Sequence, residues 1–181
     1  DISKAYFNAR TAEDEPIYVE MPFESGAAPG TCELLKKHMY GTRRDAEGWQ
    51  DEYSMRLRDA GSVQGTASAC VLFHHPDRGI AVSVHGDDFT NSGPADALDW
   101  LEKSLAEHYE LTIAPRMGPG PSDAKEGRVL NRVIRWLDKR IEYECDPRQV
   151  ERLIAECGLS GSKPVATPGL KATFKVAFKP G

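Results

Sequence analysis

Ile80-Ala81-Val82-Ser83-Val84-His85-Gly86-Asp87-Asp88-Phe89 is an apolar run that ends abruptly in two adjacent carboxylates. A run of this length bounded by turn residues reads as a buried strand, and Val82 and Val84 alternate with the smaller Ser83 as a pleat requires. Asp87 and Asp88 then sit at the lip of that strand. Carboxylates there are costly to desolvate unless a cation meets them, and a divalent metal that prefers hard oxygen ligands is the economical partner. Gly-Asp is equally ordinary turn chemistry. The residues alone therefore leave two readings open, a metal-holding hairpin and a polar turn of type I′ or similar.

Outward from this stretch, Ala69 to Phe73 predicts the partner strand and His74 to Gly79 the turn, with His74 and His75 in solvent ahead of Pro76. Phe89 to Asn91 predicts a further strand beyond the acidic pair. Trp49, Tyr53 and Leu57 recur every four positions between Asp45 and Ala60, one face of a helix that Gly61 stops. Leu98, Leu101, Leu105 and Tyr109 mark a second helix from about Pro94 to His108. Short strands are expected at Ile17 to Met21 and Cys32 to Leu35, around a Gly- and Pro-rich loop, and at Leu111 to Ile113. After a loop from Pro115 to Gly127, helix and strand readings compete over a basic segment, and two strands are favoured, about Arg128 to Trp136 and Arg140 to Glu144, with a turn at Asp138-Lys139. Asp146-Pro147 opens a third helix whose face is Val150, Leu153, Ile154 and Cys157, ending at Gly158. Ser160 to Gly181 reads as an extended tail. No internal repeat is visible, and the mixture predicts an α+β fold, an antiparallel sheet with helices packed on one face.

With 181 residues the chain can bury a proper core as one ordinary domain, or as one domain with a small appendage. No segment approaches the length of a membrane span, and no basic-then-apolar leader is visible, so an intracellular protein, cytoplasmic or nuclear, is expected. The first residue is Asp, which predicts a fragment or an excised domain. Cys32, Cys70, Cys145 and Cys157 lie far apart, and are expected reduced and mostly buried. A net charge of -5 argues against a dedicated nucleic-acid coat protein, while leaving room for an enzyme with a local basic surface.

The order of these landmarks resembles the palm of a reverse transcriptase, specifically the Ty1/copia type of long-terminal-repeat retrotransposons. Asp1-Ile2-Ser3-Lys4-Ala5-Tyr6-Phe7 looks like the family's first catalytic block. Glu15 to Pro22 is similar to its Glu-x-Ile-Tyr-Met-x-x-Pro block, and Cys32 to Gly41 to its Cys-x-Leu-x-Lys-x-x-Tyr-Gly block. Trp49 sits where the family keeps a Trp. His85-Gly86-Asp87-Asp88 stands at its Tyr-Val-Asp-Asp block, and Lys163 to Pro168 at its Lys-Pro-x-x-Thr-Pro segment. The likeness covers Asp1 to about Pro168.

This resemblance implies a palm with partial fingers over residues 1–114, a thumb- or connection-like segment over 115–159 and a tail from 160. It implies RNA-directed DNA polymerase activity, with Asp1, Asp87 and Asp88 as catalytic metal ligands for Mg²⁺, or Mn²⁺ in its place. Two such ions would sit about 3.5–4 Å apart. Tyr6 becomes the steric gate that excludes a ribose 2′-hydroxyl. Arg44 stands where the family's Gln approaches the template–nucleotide pair, and Arg128, Arg132 and Arg135 become candidates for a phosphate backbone, against the plainer reading of a solvated charged face. Implied partners are an RNA or DNA template with its primer, deoxynucleoside triphosphates, and integrase and ribonuclease H segments of one polyprotein. The departures fall at His85-Gly86, where glycine adds backbone freedom beside the ligands, at Arg44 and Glu47, and beyond Leu111. A non-catalytic remnant of the same fold and an unrelated metal-dependent α+β hydrolase are the competing readings.

Overall fold

The alternation in the opening stretch sets the layer structure. In the computed structural model, which describes residues 1–68, 71–144 and 146–163, Ile80, Val82 and Val84 are buried while Ala81, Ser83 and His85 are exposed. The chain divides into two units, 1–114 and 115–181.

In the first unit the central strand, β5 (Ile80–His85), pairs antiparallel with β4 (Leu72–His75) and β6 (Asp88–Ser92). The two-residue strand β3 (Val63–Gln64) extends the edge, giving the order β3-β4-β5-β6. Period-2 side chains send Phe73, Ile80, Val82 and Val84 to one face. That face is covered by α1 (Asp45–Asp59) through Trp49, Tyr53 and Leu57, and by α2 (Ala95–Ala106) through Ala97, Leu101 and Leu105. The opposite face carries Leu72, His74, Ala81 and Ser83, all exposed. A separate two-stranded ribbon joins β1 (Tyr18–Glu20) to β2 (Cys32–Leu34). The fold is thus mixed α+β with antiparallel sheets.

Four expectations need correction here. The partner strand does not end at Phe73 but continues to His75, and Ala69 and Cys70 lie outside the described residues. Register opposite Ile80 puts His75 on the covered face, 7% exposed, with its ring edge-on to Trp100 at 5.2 Å. Polarity alone suggested solvent, but histidine is of intermediate burial preference and its ring packs against an aromatic neighbour here. The cysteines expected to be mostly buried include Cys32 and Cys157, which are free and exposed. Leu111 contributes only an isolated bridge to Ile2, not a strand through Ile113.

Glycine inside a helix weakens it by about 1 kcal/mol, yet α1 keeps Gly48. The reason is His38, a buried ring against the helix backbone. A Cβ at position 48 would lie 2.1 Å from its Nε2. The backbone beneath the ring is fixed, since the His38 main-chain N–H donates to the Ala9 carbonyl at 2.9 Å, so only a new rotamer of the buried ring could make room. Gly48→Ala, which would stabilise an ordinary exposed helix, is therefore expected to destabilise by about 1–3 kcal/mol. Urea midpoints of Gly48→Ala with and without His38→Ala check this. A loss that persists unchanged after the ring is removed would rule out the steric cause.

The second unit is built on an antiparallel meander, β7 (Glu126–Val129), β8 (Arg132–Leu137) and β9 (Arg140–Glu144). The single strand expected from Arg128 to Trp136 is split by a turn at Leu130-Asn131, with φ of 49° and 62°. Both central residues at positive φ make this a type I′ hairpin. Asn is at home there, but Leu is not, which hid the turn from the sequence. α3 (Pro147–Glu156) starts as expected, with the Arg148 N–H donating to Asp146 Oδ1 at 3.1 Å, and is followed by Gly158 at φ 65°. Within the described residues Val150, Leu153 and Ile154 are exposed. The expected tail is described only as far as Lys163, so Pro164 to Pro168 and the residues after it lie outside.

Candidate active site

The hairpin joining β5 to β6 pairs His85 with Asp88 and leaves Gly86 and Asp87 as its two loop residues. Gly86 has φ 63°, while Asp87 is not among the residues at positive φ. A positive φ at the first central position only is the type II′ pattern, which takes glycine there. The expectation that Gly86 loosens the turn is thereby corrected, because a side chain at this φ would be strained and glycine relieves it. Both loop carbonyls are also tied down. Trp49 Nε1 donates to the Gly86 carbonyl at 2.8 Å, and the Ile2 N–H donates to the Asp87 carbonyl at 2.9 Å.

The second of these bonds joins the first residues of the chain to the acidic turn. Segment 1–3 is held from its other side as well, since the Ser3 N–H donates to the Glu110 carbonyl and the Thr112 N–H to the Asp1 carbonyl, each at 2.9 Å. Ile2, 1% exposed, anchors it in the core. With standard backbone geometry, a 2.9 Å bond between Ile2 N and Asp87 O keeps the Asp1 and Asp87 Cα atoms within about 8 Å. Asp1, Asp87 and Asp88 are all exposed. Asp88 lies across from His85 on the uncovered face of the sheet, because its neighbour Phe89 turns inward towards Trp49 and Tyr53. Among the described residues no three His, Cys, Asp or Glu side chains gather at one point. The backbone thus brings Asp1 to Asp87, and Asp88 stands beside them without completing a trio. Two exposed carboxylates from separate segments are hard oxygen donors that suit Mg²⁺, with water and substrate phosphates filling the rest of its shell.

Tyr6 lies on the one-turn 3-10 helix Ala5–Asn8, half-buried, with its ring edge-on to Tyr40 at 4.4 Å. Its phenol pKa is raised, first by burial and then by the charges of Asp45, Tyr40 and Asp87. Tyr6 is therefore an uncharged hydroxyl at neutral pH, close enough to the acidic turn to feel Asp87.

Arg44 is engaged elsewhere. Its Nε donates to Glu47 Oε2 at 2.8 Å and its Nη1 pairs with Glu15, and these bonds hold its guanidinium charged beyond the ordinary range. The three lie on a cleft of about 630 Å³ that His38 and Gly48 also line. Exposed pairs of this kind contribute little stability, but they orient the guanidinium.

Arg128, Arg132 and Arg135 belong to the second unit and do not share a face. Arg128 and Arg135 fall on one side of the meander and Arg132 on the other. Arg135 Nε donates to Glu126 at 2.8 Å and its Nη1 pairs with Glu144, so each strand supplies one member of the network. The Arg132 guanidinium lies 5.5 Å from the Tyr143 ring centroid.

The helix α1 carries two roles that residue spacing did not disclose. One is Trp49 as the clamp on the turn. The other is Glu52, which accepts from Arg56 Nε at 2.9 Å and lies 3.5 Å from the Tyr109 hydroxyl. Burial, and then the Glu52 charge, pushes the Tyr109 phenol well above its usual 10.0. A folded-state pKa above the unfolded value means the stabilisation is complete below pH 10 and is lost as pH rises past it. Tyr109→Phe is expected to flatten the alkaline fall in stability between about pH 10 and 12. Urea titrations across that range check it, and equal slopes for both proteins would exclude Tyr109 as the titrating group.

Comparison with known proteins adds no relative: no protein-family model, curated protein or solved structure matches this chain.

Proposed function

We propose that the chain is part of an RNA-directed DNA polymerase of the copia type, with its nucleotidyl-transfer centre at Asp1, Asp87 and Asp88. The observation that carries the reading is the Ile2 N–Asp87 O bond, which joins the two acidic segments from far apart in the sequence. Residue order along the chain gave no physical reason for that meeting. The polymerase reading requires it.

On this reading Asp1 and Asp87 hold Mg²⁺, with Mn²⁺ as a substitute, while Asp88 adds negative charge on the uncovered face. When bound, the metal favours the ionised primer 3′-hydroxyl and offsets charge on the pyrophosphate leaving group. Trp49 and Ile2 fix the backbone of the turn from which Asp87 projects, through the Gly86 and Asp87 carbonyls. The neutral Tyr6 ring sits against the sugar of an incoming deoxynucleoside triphosphate and leaves no room for a 2′-hydroxyl. Arg128 and Arg135, on one side of the meander, are proposed contacts for nucleic-acid phosphates, while Arg132 lies on the other side and is not among them; integrase and ribonuclease H segments are proposed neighbours in a polyprotein.

A second reading, a remnant that no longer turns over, is favoured by two observations. Arg44 is locked between Glu15 and Glu47, and the three carboxylates do not gather. Primer extension by the full chain on an RNA template, with Mg²⁺ or Mn²⁺, separates the two. Templated, deoxynucleotide-selective extension supports the polymerase, and no extension with either metal supports the remnant.

A further inference from the structure

Tyr6 sits on a single 3-10 turn, which is a weak platform for a residue whose task depends on its position. The ring gains its support from a different segment. Tyr40 meets it edge-on, with centroids 4.4 Å apart and planes at 71°, and meets Phe7 as well at 5.9 Å. We propose that Tyr40 is a positioning residue for sugar selection, the rear wall that stops the Tyr6 ring from swinging away from a 2′-hydroxyl. The proposal rests on the polymerase reading and deepens it.

Tyr40 is itself held in three ways. The chain reverses at Gly41, φ 87°, and the Gly41 N–H donates to Asp45 Oδ2 at 2.7 Å, tying the loop to the first turn of α1. Thr42 closes the turn from the other end, its Oγ1 donating to the Met39 carbonyl at 2.8 Å. Finally, the segment before Tyr40 is zipped to the segment after Tyr6, because the His38 N–H donates to Ala9 and the Thr11 N–H to Lys36, at 2.9 and 3.3 Å. The two rings therefore ride on strands of chain bonded to each other, so that Tyr6 cannot rotate outward without losing the Tyr40 edge contact. Asp45 has a double part, holding the loop and lying close enough to Tyr6 to act on its phenol. Edge-to-face pairs are worth enough to bias a rotamer by about three- to tenfold.

The test uses the full chain with Mg²⁺ and measures affinity and incorporation for dCTP and CTP in wild type, Tyr40→Ala, Tyr40→Leu and Tyr40→Phe, with circular dichroism as the folding control. Tyr40→Ala and Tyr40→Leu are expected to reduce the preference for dCTP over CTP about three- to tenfold, chiefly by admitting CTP. Tyr40→Phe, which keeps the ring edge, is expected to preserve it. A merely structural role would weaken both nucleotides alike. An unchanged preference in whichever of the Ala and Leu variants folds overturns the proposal, as does a loss of preference in Tyr40→Phe. If wild type neither binds nor incorporates dCTP, the polymerase reading fails and takes this one with it. Discrimination by wild type that ignores Tyr40 overturns this inference alone.

Discussion

Replacing Trp49 by Ala is expected to lower the unfolding free energy of the first unit by about 3–5 kcal/mol. Trp49 is 1% exposed and its ring meets Tyr53, Tyr109 and Phe89 at centroid distances of 5.5, 5.3 and 6.4 Å. Truncation would leave a cavity among three aromatics that are themselves fixed by α1, the segment after α2 and β6. It would also strip the Gly86 carbonyl of its donor. Trp49→Phe separates the two effects. It keeps most of the packing and removes only the indole N–H, so its cost should be smaller, near the roughly 1 kcal/mol of one hydrogen bond. Guanidinium unfolding followed by far-UV circular dichroism checks both variants. A Trp49→Ala loss below about 1 kcal/mol would show that the cluster closes over the gap, contrary to the packing argument.

Much of the first unit was legible because its signals are local. Ile80, Val82 and Val84 gave the central strand by alternation, and Trp49, Tyr53 and Leu57 gave α1 by their four-residue spacing. What stayed hidden depended on partners far away in sequence. Gly48 is set by His38, whose ring lies across it, and nothing near Gly48 in sequence points to that contact. Gly86 looked like slack in a site until its φ and the Trp49 bond showed a pinned turn. Leu130-Asn131 carried no glycine, so the type I′ turn that separates Arg128 from Arg132 could not be read from residue preference. His75 was misplaced for the opposite reason, because register with Ile80 outweighed its polarity.

The site itself was legible only in part. Nothing in the spacing of Asp1 and Asp87 says that they meet, since loop closure over such a separation costs little more than over a shorter one and leaves no mark on composition. The resemblance supplied that expectation, and the Ile2–Asp87 bond is consistent with it. Arg44 was expected to handle nucleotide, but Glu15, on the loop before β1, could not be foreseen as its partner. Trp49, which ties down the Gly86 carbonyl, was visible as an apolar helix position and a family match, not as a partner of the turn.

On the proposed polymerase function, Asp87→Asn is expected to reduce primer extension by about a thousandfold or more while leaving stability within about 0.5 kcal/mol of wild type. The stability half follows from geometry. Asp87 is exposed, the amide is close in shape to the carboxylate, and the structural bond at this residue runs through its main-chain carbonyl to Ile2. The activity half follows from charge. Metal stabilisation of a phosphoryl-transfer transition state is worth several kcal/mol, and a neutral amide holds Mg²⁺ poorly. Asp88→Asn provides the contrast, because Asp88 lies on β6 opposite His85 and not in the loop bonded to Ile2. Its loss should be smaller than that of Asp87→Asn. Single-nucleotide incorporation rates at saturating Mg²⁺, with urea midpoints for each variant, check both halves. Retention of activity within tenfold in Asp87→Asn would remove this residue from the proposed metal site, and equal losses in the two variants would show that the turn and the strand contribute alike.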